Sequence, residues 1–288
     1  MKSLSRFCAT LGAITILTAS LSPPLYGNTI ESKEDPTKFG KLDQGRTTCS
    51  AMGCAPTAAV NSFVYLQNMF PGTYPTPLVP HPPGMQPTVE QLTTVANNLS
   101  GATFMKSSNE TGTTIENFVL GKRAYIESID KGVTTYAAQV TLPWSGTAKP
   151  GFVQDNTPPT LAFLAKELKA GEDVEVGIAT VRLGHFLTLT GITFDDTTNK
   201  GEFTFVDPNG GVEGKAMITG LRDGVIRTDY LLGGVRADIV NAVAESPVPE
   251  PSSLVLFATG VLGLLGYVWH GQRKNKTRLL SKAVQNRG

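Results

Sequence analysis

After Gly171 the sequence changes period. The segments VEVGIATV, HFLTLTGITF, EFTFVDP, AMITG and GVIRTDYLL alternate apolar with polar or small residues and are parted by Gly, Asp and Asn turns. Alternation of this kind gives each segment one face for a core and one for solvent, which predicts antiparallel strands joined by hairpins. Before Gly171 the period is helical. APTAAVNSFVYLQN, from Ala55 to Asn68, places Pro56 in a first turn and Val60, Phe63, Val64 and Tyr65 on an apolar stripe. Thr88 with Gln91, and Thr113 with Glu116, fit capping boxes, and Thr157 with Pro158 opens a fourth helix that Gly171 stops. Between the first two helices seven prolines from Pro71 to Pro87 predict an ordered surface loop, since proline gives no amide to a ladder and resists helix. Helices first and strands second predict an α+β domain, with N-terminal helices packed on a C-terminal antiparallel β-sheet.

The two ends are not part of that domain. Lys2 and Arg6 precede an apolar run from Phe7 to about Leu21, and small residues and prolines follow. That order is a secretory signal peptide, read as residues 1–27, and it carries Cys8 away with it. At the other end Pro249, Glu250 and Pro251 lead into an apolar run, residues 254–269, and then Arg273, Lys274, Lys276 and Arg278. The run is close to the roughly 20 apolar residues of a membrane span, and its basic flank would stay cytoplasmic. Residues 247–288 thus closely resemble the PEP-CTERM sorting signal of Gram-negative bacteria. The resemblance implies export by the secretion machinery, recognition by an exosortase and delivery to the cell surface or extracellular matrix, with membrane attachment before processing or, alternatively, permanently.

What is left is one domain, residues 28–246, long enough for a substantial core. There 23 acidic side chains face 17 basic ones, a balance that argues against binding nucleic acid.

Few catalytic patterns fit this domain. It has no Walker loop, no His-Glu-x-x-His, no Gly-x-Ser-x-Gly and no dinucleotide fingerprint. His81 lies in the proline loop and His270 at the edge of the tail, so His185 is the one histidine that opens a core strand. Two cysteines and one placed histidine are too few for zinc without carboxylates, and no metal or other cofactor is expected.

Cysteine catalysis asks for less: a thiol, an imidazole and a group that orients the imidazole. Cys54 stands directly before the Ala55 to Asn68 helix, where its sulfur faces free backbone N–H groups and the positive end of the dipole. Cys49 lies in the preceding loop, with Gly53 permitting a tight turn. His185 starts one strand of the DDTTNKG hairpin and Asp207 ends the other, so both emerge at the same end of the sheet. An odd register sets His185, Asp207 and Asn209 on one face. Asp207 is the orienting candidate and Asn209 the alternative, which a symmetric turn would bring closer. A Cys49–Cys54 disulfide, the other reading of an exported cysteine pair, would remove the nucleophile.

CAPTAAVNSFVYL, LGHFLTLTGITF and FTFVDPNGG together resemble the papain-like cysteine peptidases, in particular the bacteriocin-processing (peptidase C39-like) branch. The chain order Cys, His, Asp also fits. The resemblance covers roughly residues 43–211 and implies a papain-like fold and hydrolysis of peptide bonds in a peptide or protein substrate. It makes Cys54 the nucleophile, His185 the general base and acid, Asp207 the orienting group and Gln44 an oxyanion-hole donor. Ala55 departs from the glycine of that branch, and Gln44 lies ten residues before Cys54, so the loop between them must bulge. A papain-like surface or matrix binding protein without turnover is the alternative function, and transamidation would use the same residues.

Overall fold

The computed structural model describes residues 28–82, 85–141 and 152–247. The signal peptide, the 254–269 segment and the basic tail lie outside the described residues. Among the described residues no helix is long and apolar enough to cross a membrane.

Among the described residues four α-helices form: α1 (Cys54–Met69), α2 (Val89–Ser100), α3 (Ile115–Ile129) and α4 (Leu161–Lys169). Nine strands outweigh them: β1 (Thr29–Lys33), β2 (Thr134–Val140), β3 (Phe152–Asp155), β4 (Asp173–Ala179), β5 (Gly184–Asp195), β6 (Lys200–Asp207), β7 (Val212–Arg222), β8 (Val225–Leu232) and β9 (Val235–Pro247). The α2 start carries both halves of the Thr88–Gln91 capping box. The cap of α3 is Thr114, one residue later than expected, and the cap of α4 is Thr160 instead of Thr157. Thr160 is drawn there by tertiary structure, because its N–H donates to Gln139 Oε1 at 2.9 Å.

Strands β5 to β9 pair antiparallel in sequence order, and β4 pairs antiparallel with both β5 and β9. The six strands β4–β9 therefore close into a barrel. This overturns the expected α+β papain-like arrangement of N-terminal helices on an open C-terminal sheet: the protein is mostly β, and its sheet has closed on itself. The cause lies in β9, which the alternation did not reveal, and in the bulges that bend the strands. Register shifts occur between Gly177 and Ile178, Leu189 and Gly191, Ile218 and Gly220, and Arg227 and Leu231. Each adds local twist, and such bends let a sheet curl until its edges meet.

Two cores share the β4–β5–β6 wall. Inside the barrel lie Val176, Ile178, Leu187, Leu189, Phe203 and Phe205, joined by the apolar stripe of α4, Leu161, Leu164, Ala165 and Leu168. Outside it, α1 runs against β5, with Phe63 and Val60 meeting Phe186 and Val206 in a second core that also holds α2 and α3. Helix α1 is buried from Ala55 to Gln67 on all sides, as befits a helix enclosed by a barrel wall and two other helices. The proline loop is tied down as well, since Tyr74, Leu78 and Val79 are buried and Val79 N–H donates to Gln67 Oε1 at 2.9 Å.

Candidate active site

The α1 N-terminus and one end of the barrel meet at a cleft of about 340 Å³. Cys54 lines it from α1, Gly184 and His185 from β5, Gly177 to Ala179 from β4, and Thr111 to Ile115 from the approach to α3. None of the described residues of the proline loop lines it.

Local structure fixes each group. Cys54 is the first residue of α1, whose cap is Gly53 and whose cap makes no side-chain hydrogen bond. A side chain at Gly53 would collide with Thr47 Oγ1 and the Cys49 carbonyl, so the turn requires glycine. His185 follows the tight β4–β5 turn, which Thr180 holds by accepting from the N–H of Leu183 at its hydroxyl. Asp207 ends β6. Its Oδ1 lies 2.7 Å from His185 Nε2 and accepts the N–H of Asn209 at 2.8 Å, while Oδ2 accepts the Tyr230 hydroxyl at 2.7 Å. Of the two orienting candidates, it is Asp207 whose carboxylate meets the ring. Asn209 is exposed and serves Asp207 through its backbone.

The electrostatics follow from these bonds. Burial by itself would lower the His185 pKa, but hydrogen bonds with Asp207 and Cys54, and the charges of both, lift it from 6.5 to about 9. Burial would raise Asp207, yet the bonds from His185, Tyr230 and the Asn209 N–H hold it below the usual carboxylate value. Cys49 and Cys54 are both free thiols, and the Cys49 sulfur lies 3.9 Å from the Ser107 carbonyl oxygen. The disulfide reading therefore does not describe this structure.

Gln44 is brought to the same region by the bulged loop. Its N–H donates to the Pro208 carbonyl at 2.7 Å, just past Asp207, and Gly210 N–H donates to Asp43 Oδ1 at 3.2 Å. The Gln44 Nε2 donates to Ser50 O at 3.3 Å, and its Oε1 is buried without a partner. Asn61 on α1 holds the preceding segment, with its Oδ1 accepting Leu42 N–H at 2.8 Å.

Tyr230 escaped the sequence reading. It sits in an ordinary alternating strand, and nothing in VIRTDYLL distinguishes its hydroxyl from that of any half-buried tyrosine. Among the described residues no group of three or more His, Cys, Asp or Glu side chains is arranged to hold a metal. A second groove of about 430 Å³ lies between the β4–β5 turn at Val181 and Leu183 and the β8–β9 turn at Leu232 and Val235.

No curated protein matches the chain. A family match lies at the C-terminal end of the sequence and starts at the last residue of β9. Residues 247–274 match the PEP-CTERM protein-sorting motif, which makes this an exported, surface-sorted protein processed by an exosortase.

Proposed function

We propose that the exported domain, residues 28–246, is a cysteine peptidase that works through Cys54, His185 and Asp207. One observation carries the reading: a chain of hydrogen bonds runs from Tyr230 through Asp207 to the buried His185, and His185 shares the cleft with Cys54 at a helix start. With Nε2 turned to Asp207, Nδ1 is the ring atom left for the sulfur. Cys54 Sγ attacks the scissile carbonyl carbon, and the imidazolium passes its proton to the leaving amine. Water then hydrolyses the thioester, with His185 as the base that takes its proton.

The tetrahedral oxygen needs donors at the α1 start. The first-turn N–H groups there are not used within the helix. Gln44 adds the second hydrogen of its amide, since only one is needed for the Ser50 carbonyl. Asp207 and Tyr230 position the ring.

The test is thiol labelling followed by peptide hydrolysis. Cys54 is expected to react with a peptidase-directed thiol reagent much faster than Cys49, and His185→Ala should abolish the difference. Equal labelling of the two cysteines would overturn the proposal. Rapid labelling without any peptide cleavage would instead favour a binding protein on the same scaffold, and an amide product formed with an added amine would identify transamidation.

A further inference from the structure

Lys122 projects from the middle of α3 into the seam between the helices and the barrel. Its Nζ lies 2.5 Å from Asp173 Oδ2, 2.5 Å from Glu175 Oε1 and 3.0 Å from Glu245 Oε2, and all four side chains have zero exposure. Aromatic groups surround them. The Phe63 ring centre is 5.9 Å from Nζ, and Tyr74 OH and Thr134 Oγ1 donate to Glu245 Oε1 at 3.2 and 2.8 Å.

As ion pairs these groups are poorly matched. One ammonium faces three carboxyl groups in a site without solvent, and Asp173 Oδ1 and Glu175 Oε2 are buried with no hydrogen-bond partner. A buried ionic network left partly unsatisfied costs more than it returns. Burial and the Asp173 charge outweigh Lys122 and push the Glu175 carboxyl up to about 8, and burial raises Glu245 as well. Glu175 thus exchanges a proton near neutral pH, as a general acid–base group must.

We infer that Lys122 and Asp173 become joined by an intramolecular amide bond, with Glu175 moving the proton. With Glu175 held protonated by burial, the Lys122 ammonium passes its first proton to Asp173 Oδ2, 2.5 Å away, and the freed nitrogen attacks Asp173 Cγ. The new N–C bond forms, and one C–O bond of Asp173 breaks. That oxygen leaves as water with the two protons the nitrogen gives up, one of them relayed by Glu175. An ammonium and a carboxylate become an amide and water, so charge balances and neither oxidant nor reductant is required. The product removes the only cation and one of the three acids from the cluster. Glu175 and Glu245 remain, both shifted toward their neutral forms and able to bond the new amide.

The cross-link would have a purpose at the cleft. It ties α3, whose Ile115 end forms one wall, to β4, whose Gly177 to Ala179 form another. A protein that works outside the cell would gain a fixed cleft and resistance to unfolding. None of this depends on Cys54 being a nucleophile.

The experiment is tryptic peptide mapping by mass spectrometry on the full-length gene product as isolated from a Gram-negative host. The expected species is one branched peptide holding both Lys122 and Asp173, lighter than the two separate peptides by one water, about 18 Da, and uncleaved after Lys122. Asp173→Ala and Lys122→Met should each abolish it. Glu175→Gln should leave the two peptides separate, and Glu175→Asp serves the same comparison where the glutamine variant does not fold. Recovery of the two unlinked peptides from wild-type protein overturns the inference without reference to any variant. A branched peptide that persists undiminished in Glu175→Gln overturns the role given to Glu175.

Discussion

Asp207→Asn keeps the shape of the side chain and removes the charge that faces His185 Nε2 across 2.7 Å. In the intact site the ring holds its proton up to about 9, although burial alone would lower it. A hydrogen bond to a charged group contributes about 1.5–3 kcal/mol, which at about 1.36 kcal/mol per pKa unit is roughly one to two units. The ring in the variant is therefore expected to titrate at about 7 to 8, with Cys54 still supporting part of the shift. Labelled-imidazole NMR follows this directly, with His185→Gln giving the assignment. The pH dependence of Cys54 alkylation supplies a second reading, and its upper limb should move down by the same amount. Stability moves with it. A histidine whose folded pKa lies above its unfolded 6.5 stabilises fully below 6.5 and loses that contribution as pH rises through about 9. The variant should lose it earlier. A wild-type ring that titrates near 6.5, or an unchanged pKa in Asp207→Asn, would refute the account of the site.

The other predictions reach further into the protein. Glu34 is buried, and burial outweighs its Tyr65 bond to push the carboxyl from 4.5 to about 9; the folded chain keeps a proton that the unfolded chain releases. Stability should therefore fall as pH rises from about 4.5 to about 9, by up to about 1.4 kcal/mol per pH unit, and urea unfolding of Glu34→Gln should show a flatter profile. Tyr230→Phe removes the 2.7 Å donor to Asp207 Oδ2; in the proposed peptidase reaction turnover should drop about tenfold with KM unchanged, the effect of roughly 1.4 kcal/mol in the transition state. Gly211 has φ +65°, and a methyl there would run into the Lys41 carbonyl, so Gly211→Ala should cost about 1–3 kcal/mol, read as a fall in Tm. Deleting residues 247–274 should leave the protein unprocessed by exosortase and unsorted, seen by fractionating cells that express it.

The sequence was most legible where the determinant is local. Thr88 and Gln91 form their capping box because both partners lie within one helical turn. The cap at Thr160 was not legible, since the bond that selects it comes from Gln139, twenty-one residues away. The strands β4 to β8 were readable by alternation, but β4 is buried on both faces and conceals Glu175 in the position of a solvent-facing residue. Alternation reports that a strand has two faces. It does not report which edges will pair, and β4 finding β9 is what turns an open sheet into a barrel.

The pairing of His185 with Asp207 depended on parity within one hairpin, which the sequence does carry. The bulge at Thr190 shifts the register, so that Thr188 pairs with Val206 while Gly191 pairs with Thr204. Continued to the hairpin end, that register sets Asn209 across from His185, and Asp207 reaches the ring diagonally on the same face. Tyr230 depends on something no hairpin encodes. It belongs to β8, and β7 separates it from Asp207 on β6. In a flat sheet two strands apart means about 10 Å between backbones, a poor distance for a direct bond between side chains that stand perpendicular to the sheet. Curvature makes inward side chains converge, and β7 is small where they must pass: a side chain at Gly214 would strike the Phe205 ring, and Ala216 is buried beside it. Phe205 and Tyr230 can then meet edge to face at 5.6 Å, with the Tyr230 hydroxyl carried on to Asp207. The third support of the histidine is thus a product of barrel closure, which is why a reading confined to strands and hairpins stopped at the pair.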